Sequence, residues 1–384
     1  MENSTAGQDP PRALGTTLAA ALAAVVAVAS LTACARSPES SNGRTPGSVP
    51  GTPEAPGDPG VVGTVASGLA VPWGIAFLPD GSAIVTERDS RRVLRLLPGD
   101  DDAEAEVRVI GEIAEAVPSV EAGLLGVAVS PEFSQDNSLF FYATTDADNS
   151  VFKVTLEDDR LGEPAAILTG IPKGDIHDGG RLEFGPDGFL YVSTGETGNP
   201  ELAQDPSSLA GKILRITADG QPAPGNPEED SPVWSLGHRN VQGLAFDDSG
   251  QLWASEFGAE TFDELNRVTP GANYGWPEVE GRGGGSGFVD PLLTWSPEDA
   301  SPSGLAFADG TLWMAALRGQ RLWQIPLDGE TPKSPVGLLT GELGRIRTVV
   351  RTPEGDLWIA TSNRDGRGDP SEDDDRILLF STGD

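Results

Sequence analysis

The sequence predicts an all-β fold built as a six-bladed β-propeller, and three observations predict it. One strand pattern recurs six times: an apolar pair, a Pro-Asp-Gly-like turn, then a strand alternating aromatic and aliphatic residues. The copies begin at Gly74, Gly126, Arg181, Gly243, Gly304 and Thr348, a spacing that suits four-stranded blades. Stretches suited to globular helices are scarce, and 49 Gly and 32 Pro punctuate the 384 residues. Six copies favour a propeller over a β-sandwich of coincidentally similar strands.

Before the repeats come two segments of other character. Residues 13–33, preceded by Arg12, are uniformly apolar and end at Cys34, the only cysteine. The order Leu31-Thr32-Ala33-Cys34 resembles the lipobox of bacterial lipoproteins, which implies a signal peptide over 1–33 and lipidation of Cys34. An ordinary secretory signal or an uncleaved anchor are the alternatives, since the stretch is about 20 residues long. Residues 34–60 are rich in Pro, Gly and Ser and nearly devoid of large apolar side chains, so a disordered spacer is expected there. The propeller is then assigned to 61–384, lipid-anchored on the outer side of the cytoplasmic membrane.

Each copy reads as a β-hairpin. The forms are GIAFLPDGSAIVTE, GVAVSPEFSQDNSLFFYAT, RLEFGPDGFLYVSTGE, GLAFDDSGQLWASEFG, GLAFADGTLWMAAL and TVVRTPEGDLWIATS. The Asp-Gly turn needs a positive φ, which glycine adopts without strain, and the flanking period of two supplies the strands. Third strands follow several copies, as in RRVLRL, GKILRI, DELNRV, RLWQI and DRILLF. Propellers hold ligands on loops over the central channel, so functional residues are expected between the repeated cores.

Composition removes several function classes. With 59 acidic and 26 basic residues the net charge is −33, which repels phosphate backbones and excludes a nucleic-acid partner. One cysteine and two histidines exclude an intrachain disulfide and Cys-rich or His-rich metal sites. Gly211-Lys212 lacks the earlier glycine of a phosphate loop. The SEDDD run from Ser371 reads as a solvated loop.

Both histidines lie where the chain departs from the repeat: His177 in GDIHDGGRLEFGPDG and His238 in SLGHRNVQGLAF. With GKILRI, GANYGWPEV, EAGLLGVA and GRIRTVV, these segments resemble the soluble pyrroloquinoline-quinone (PQQ) glucose and sorbosone dehydrogenases, also called aldose sugar dehydrogenases. The resemblance spans nearly the whole folded part and implies a six-bladed propeller, in agreement with the repeat count.

The resemblance also implies roles. His177 would be the base that takes the proton of a sugar C1 hydroxyl, and imidazole titrates in the range that permits it. Glu196 would orient His177. Arg239 and Asn240 would hold PQQ near its reactive carbonyl, with Arg239 stabilising developing charge. Arg318, Arg345 and Arg347 would pair with its three carboxylates, for which planar guanidiniums suit. Trp295 would be the aromatic stacked on the cofactor. The carbonyls of Gly258 and Ala259 would bind Ca2+ beside PQQ, and Glu264 and Tyr274 would serve a second, structural Ca2+. Glu121 stands where some members carry an amide.

The function implied is PQQ- and calcium-dependent oxidation of an aldose to its lactone, with a small-molecule sugar substrate and a separate electron acceptor. Two other readings remain at this point. One is a non-catalytic propeller lipoprotein that binds a carbohydrate or an envelope partner. The other is a calcium-dependent lactonase, which would need side-chain carboxylates and Asn converging on the channel.

Overall fold

The computed structural model describes residues 57–99 and 103–383; the predicted signal segment, Cys34 and the spacer as far as residue 56 lie outside the described residues. Six antiparallel sheets succeed one another along the chain. Blade 1 runs through Pro72–Phe77, Ala83–Glu87, Arg92–Leu97 and Glu106–Glu112. The inner strands of blades 2 to 6 are Leu124–Val129, Leu182–Phe184, Val241–Phe246, Pro302–Ala308 and Ile346–Arg351. Each of the six predicted hairpins forms the inner pair of one blade, so the propeller has the predicted number of blades.

Blade 6 is completed from the other end of the domain. Strand Gly60–Ala66 pairs antiparallel with Ile377–Ser381, as its fourth strand. This pairing closes the ring between the first and last blades and removes the free edge a linear row of blades would leave.

In five copies the hairpin turn ends in a glycine of positive φ, for example Gly188 at 77°. Copy two differs: PEFSQDN makes one helical turn, Phe133–Asp136, closed by Asn137 at φ 48°. Asparagine tolerates this region better than other residues with a β-carbon, so the longer turn keeps the hairpin register.

The core lies between blades. Each of six apolar clusters joins neighbouring sheets, one holding Phe141 and Val93, another Trp313 and Phe380, a third Trp253 and Met314. Alternate side chains of each strand face opposite neighbours, which is why the repeat alternates. Truncating a buried aromatic of this kind costs about 3–5 kcal/mol.

The SEDDD loop is not solvated throughout. Asp374 and Asp375 are buried; Asp375 accepts from the amides of Val71 and Asn363, and Asp374 accepts from Asn363 Nδ2. Their carboxylates tie the chain near the ring closure to the sixth blade, a task that the composition of the run does not reveal.

Candidate active site

Two sets of loops meet at the channel end away from the Asp-Gly turns. One set enters the inner strands and carries Glu121, His177, Arg239, Asn240 and Arg345. The other leaves the second strands and carries Arg88, Glu196, Gly258, Arg318 and Asp365. In an antiparallel hairpin these two positions lie at the same end, so six blades deliver twelve loops to one face. They enclose a cavity of about 440 Å3 lined by His177, Arg239, Asn240, Gly258, Ala259 and the three predicted cofactor arginines.

His177 stands at φ 59°, in the left-handed region. Its amide donates to Glu121 Oε2 at 3.0 Å and its carbonyl accepts from Thr197 N at 3.2 Å, which hold it there. Ring atom Nδ1 is hydrogen-bonded to Glu196 Oε1. A carboxylate only accepts, so Nδ1 carries a proton, and in the neutral ring Nε2 is the nitrogen with the lone pair. Glu196 is buried, and its Oε2 has no hydrogen-bond partner among the described residues. Gly195 permits this approach: a β-carbon there would lie 1.8 Å from the His177 carbonyl oxygen.

The second histidine is a brace. His238 is fully buried, with Nε2 2.8 Å from Ser235 Oγ and Nδ1 2.8 Å from Glu256 Oε2. Ser, His and Glu stand in the order of a hydrolase triad, but Ser235 is 0% exposed and no substrate reaches it. Glu256 Oε1 accepts from the backbone amide of Arg239, so the network fixes the loop that presents this arginine. The Arg239 guanidinium lies 5.4 Å from the Trp276 ring centroid. Burial lowers its pKa.

The cavity is strongly basic. Arg88, Arg239, Arg318, Arg345, Arg347 and Arg367 line it, against the carboxylates of Glu121 and Asp263. Asp365, behind the wall, accepts from Arg345 Nη2 at 2.9 Å and Arg347 Nη2 at 3.1 Å. Burial pushes the Asp365 carboxyl up, but Arg347 and Arg345 outweigh it and hold it below the usual range. Burial lowers Arg347 to about 10. Arg318 sits at the rim, paired with Glu298 at 3.0 Å.

Three predicted residues are elsewhere. Trp295 does not reach the cavity: it is buried in blade 4, opposite Asp263 in strand register, with its ring 5.7 Å from Trp323. Its strand ends there, and Pro297 and Ser301 form the wall instead. Glu264 is buried too, accepting from Gly281 N at 2.7 Å and Asn266 Nδ2 at 3.0 Å. The Tyr274 hydroxyl donates to Arg267 O and accepts from Thr269 N, and its ring stacks on His238. Among the described residues no group of three or more His, Cys, Asp or Glu could hold a metal.

Sequence reasoning passed over Arg88, Asp263, Asp365 and Arg367. Their signal was positional. Arg88 and Asp365 follow second strands as Glu196 and Gly258 do, so carrying the repeat register through the loops would have found them.

The family described as Glucose / Sorbosone dehydrogenase matches residues 69–377, most of the chain. The chain belongs to the glucose/sorbosone dehydrogenase family. The PQQ-bound form of aldose sugar dehydrogenase from Streptomyces coelicolor is 51% identical, with a TM-score of 0.82 over 86% of this chain and 99% of that one. Aldose sugar dehydrogenase YliI of Escherichia coli is 28% identical over 77% of this chain and 88% of its own. An uncharacterized Synechocystis protein, slr1608, is 33% identical over 79% and 84% respectively. As a glucose/sorbosone dehydrogenase homologue, the chain is related to sugar oxidoreductases, and the cavity over its channel is where that chemistry can be housed.

Proposed function

We propose that this protein oxidises the C1 hydroxyl of an aldose to its lactone, with PQQ and Ca2+ as cofactors. The observation that carries the reading is a histidine with a free Nε2, oriented by a buried carboxylate, facing a cavity walled by six guanidiniums. The residues fit the cofactors. A trianionic quinone needs a basic floor, which Arg345 and Arg347 supply from inside a protein of net charge −33. Gly258 and Ala259 offer hard carbonyl oxygens at the same cavity, and neither accepts a hydrogen bond among the described residues. The 51% identity to a PQQ-bound aldose sugar dehydrogenase supports the same assignment.

When bound, PQQ supplies the two-electron acceptor for the C1 hydride and Ca2+ polarises its carbonyl. The chain supplies the rest. His177 Nε2 takes the C1 hydroxyl proton, and Glu196 balances the imidazolium that forms. Arg239, held by Glu256 and Trp276, places positive charge where negative charge develops. The propeller is held to the membrane by lipid on Cys34, with the Pro/Gly/Ser-rich linker predicted over 34–60 as spacer.

The test is titration of the purified mature protein with PQQ and Ca2+, followed by absorbance. A stoichiometric, calcium-dependent endpoint and subsequent dye reduction by an aldose are expected. No binding at micromolar PQQ would overturn the enzyme reading in favour of a carbohydrate- or envelope-binding propeller.

A further inference from the structure

We propose that Glu280 is the positioning residue that sets calcium affinity in this cavity; the inference rests on the metal reading above. Its Oε1 accepts from four consecutive backbone amides: Ala259 at 2.7 Å, Glu260 at 3.1 Å, Thr261 at 2.9 Å and Phe262 at 3.0 Å. Successive amides converging on one point form an anion nest, and here the anion is a side chain of the protein itself. Hydrogen bonds to a carboxylate are stronger than those between neutral groups.

The consequence follows from peptide geometry. In a trans peptide the carbonyl of one residue points opposite to the amide of the next. The amide of Ala259 shares its peptide plane with the Gly258 carbonyl, and the amide of Glu260 shares its plane with the Ala259 carbonyl. Drawing these two amides onto Glu280 turns the two carbonyls away from it. Gly258 and Ala259 line the cavity, so Glu280 fixes from behind the oxygens that a cation would use.

The clamp is anchored and tight. Glu280 comes from the loop after Trp276, and the next amide, Gly281 N, donates to buried Glu264 Oε1 at 2.7 Å. A β-carbon on residue 258 would lie 1.8 Å from Phe262 O and 2.7 Å from Glu280 Oε1, so the turn closes only around glycine. Asp263 Oδ1 takes the remaining amide, Gly258 N, at 2.9 Å. The loop therefore spends its donors on carboxylates and keeps two acceptors for the cavity.

The test measures the calcium concentration that half-saturates PQQ binding, by absorbance and without substrate, in wild type, Glu280→Ala and Glu280→Gln. Removing an outer partner of a metal ligand lowers affinity by about 10–100-fold, and Glu280→Ala should raise half-saturating calcium by that factor. At saturating calcium the variant should bind PQQ to the wild-type endpoint. Glu280→Gln keeps an acceptor oxygen without its charge and should fall between the two, with an unchanged Tm. If the alanine variant does not fold, the glutamine variant decides alone: a clear rise in half-saturating calcium supports the inference. Wild-type calcium dependence in a folded variant overturns it and leaves the metal reading intact. A wild type that binds PQQ without regard to calcium overturns both.

Discussion

Glu196 is hydrogen-bonded to His177 at Nδ1, and His177 lines the cavity with no hydrogen bond to Nε2 among the described residues. This single contact fixes tautomer, ring orientation and the charge that a protonated ring would face. It is made across the channel end of one blade, by the loop entering its inner strand and the loop leaving its second strand.

Asp365 links Arg345 to Arg347, and all three side chains are under a tenth exposed. Asp365→Asn leaves two buried guanidiniums without their counter-charge, a loss on the order of 3 kcal/mol, read as a lower Tm of the apoprotein. The same pair gives an acid limb. Because the folded carboxyl is held below its usual range, its contribution is complete above the unfolded value of about 4 and is lost as pH falls through the folded value. The wild type should lose this increment below that pH, and Asp365→Asn should show a flatter acid limb.

Asp178 works with the opposite sign. Burial raises its carboxyl to about 6, and Oδ2 is buried with no partner among the described residues. The folded state then binds the proton more tightly than the unfolded chain. Its contribution is present below about pH 4 and is lost as pH rises through 6, on the order of 3 kcal/mol. Denaturant melts of wild type and Asp178→Asn between pH 4 and 7 check this: the slope should flatten in the variant.

His238→Ala should act through the loop and not through the chemistry. It leaves Ser235 and Glu256 short of a partner in a sealed interior, which costs about 1–3 kcal/mol. Thermal melts should show that loss and PQQ titration a weaker affinity, while turnover per bound cofactor falls far less than in His177→Ala. An unchanged Tm would contradict the bracing role.

Cys34→Ser should release the propeller into the soluble fraction of cells without changing the melting temperature of the folded domain. Retention of this variant on membranes would assign the anchor to the apolar stretch 13–33 itself.

The blades were legible because a hairpin is a local object: alternation and an Asp-Gly turn lie within about 15 residues. The ring closure was not. Val61 and Val62 are exposed on strand Gly60–Ala66, which lacks the alternation that marks a half-buried strand, and its partner lies at the other end of the domain. In the site, the two histidines stood out where the chain departs from the repeat, whereas Arg239 and Arg345 were legible only through the family resemblance of GHRNVQGLAF and GRIRTVV. Asp365, Glu280 and Asp375 did not, since a loop carboxylate that gathers amides or guanidiniums has the same local sequence as one facing water. Trp295 was misplaced because a lone aromatic in a loop-like segment carries no sign of which side its strand presents.

Catalysis by this site depends most directly on Nε2 of His177. The deciding measurement is dye reduction by His177→Ala after PQQ and calcium reconstitution, with cofactor binding followed separately by absorbance. Binding should persist through Arg239, Arg345 and Arg347, while kcat on an aldose falls by about 10²–10⁴, the usual worth of a positioned base. A variant that binds PQQ and turns over at the wild-type rate would contradict the account.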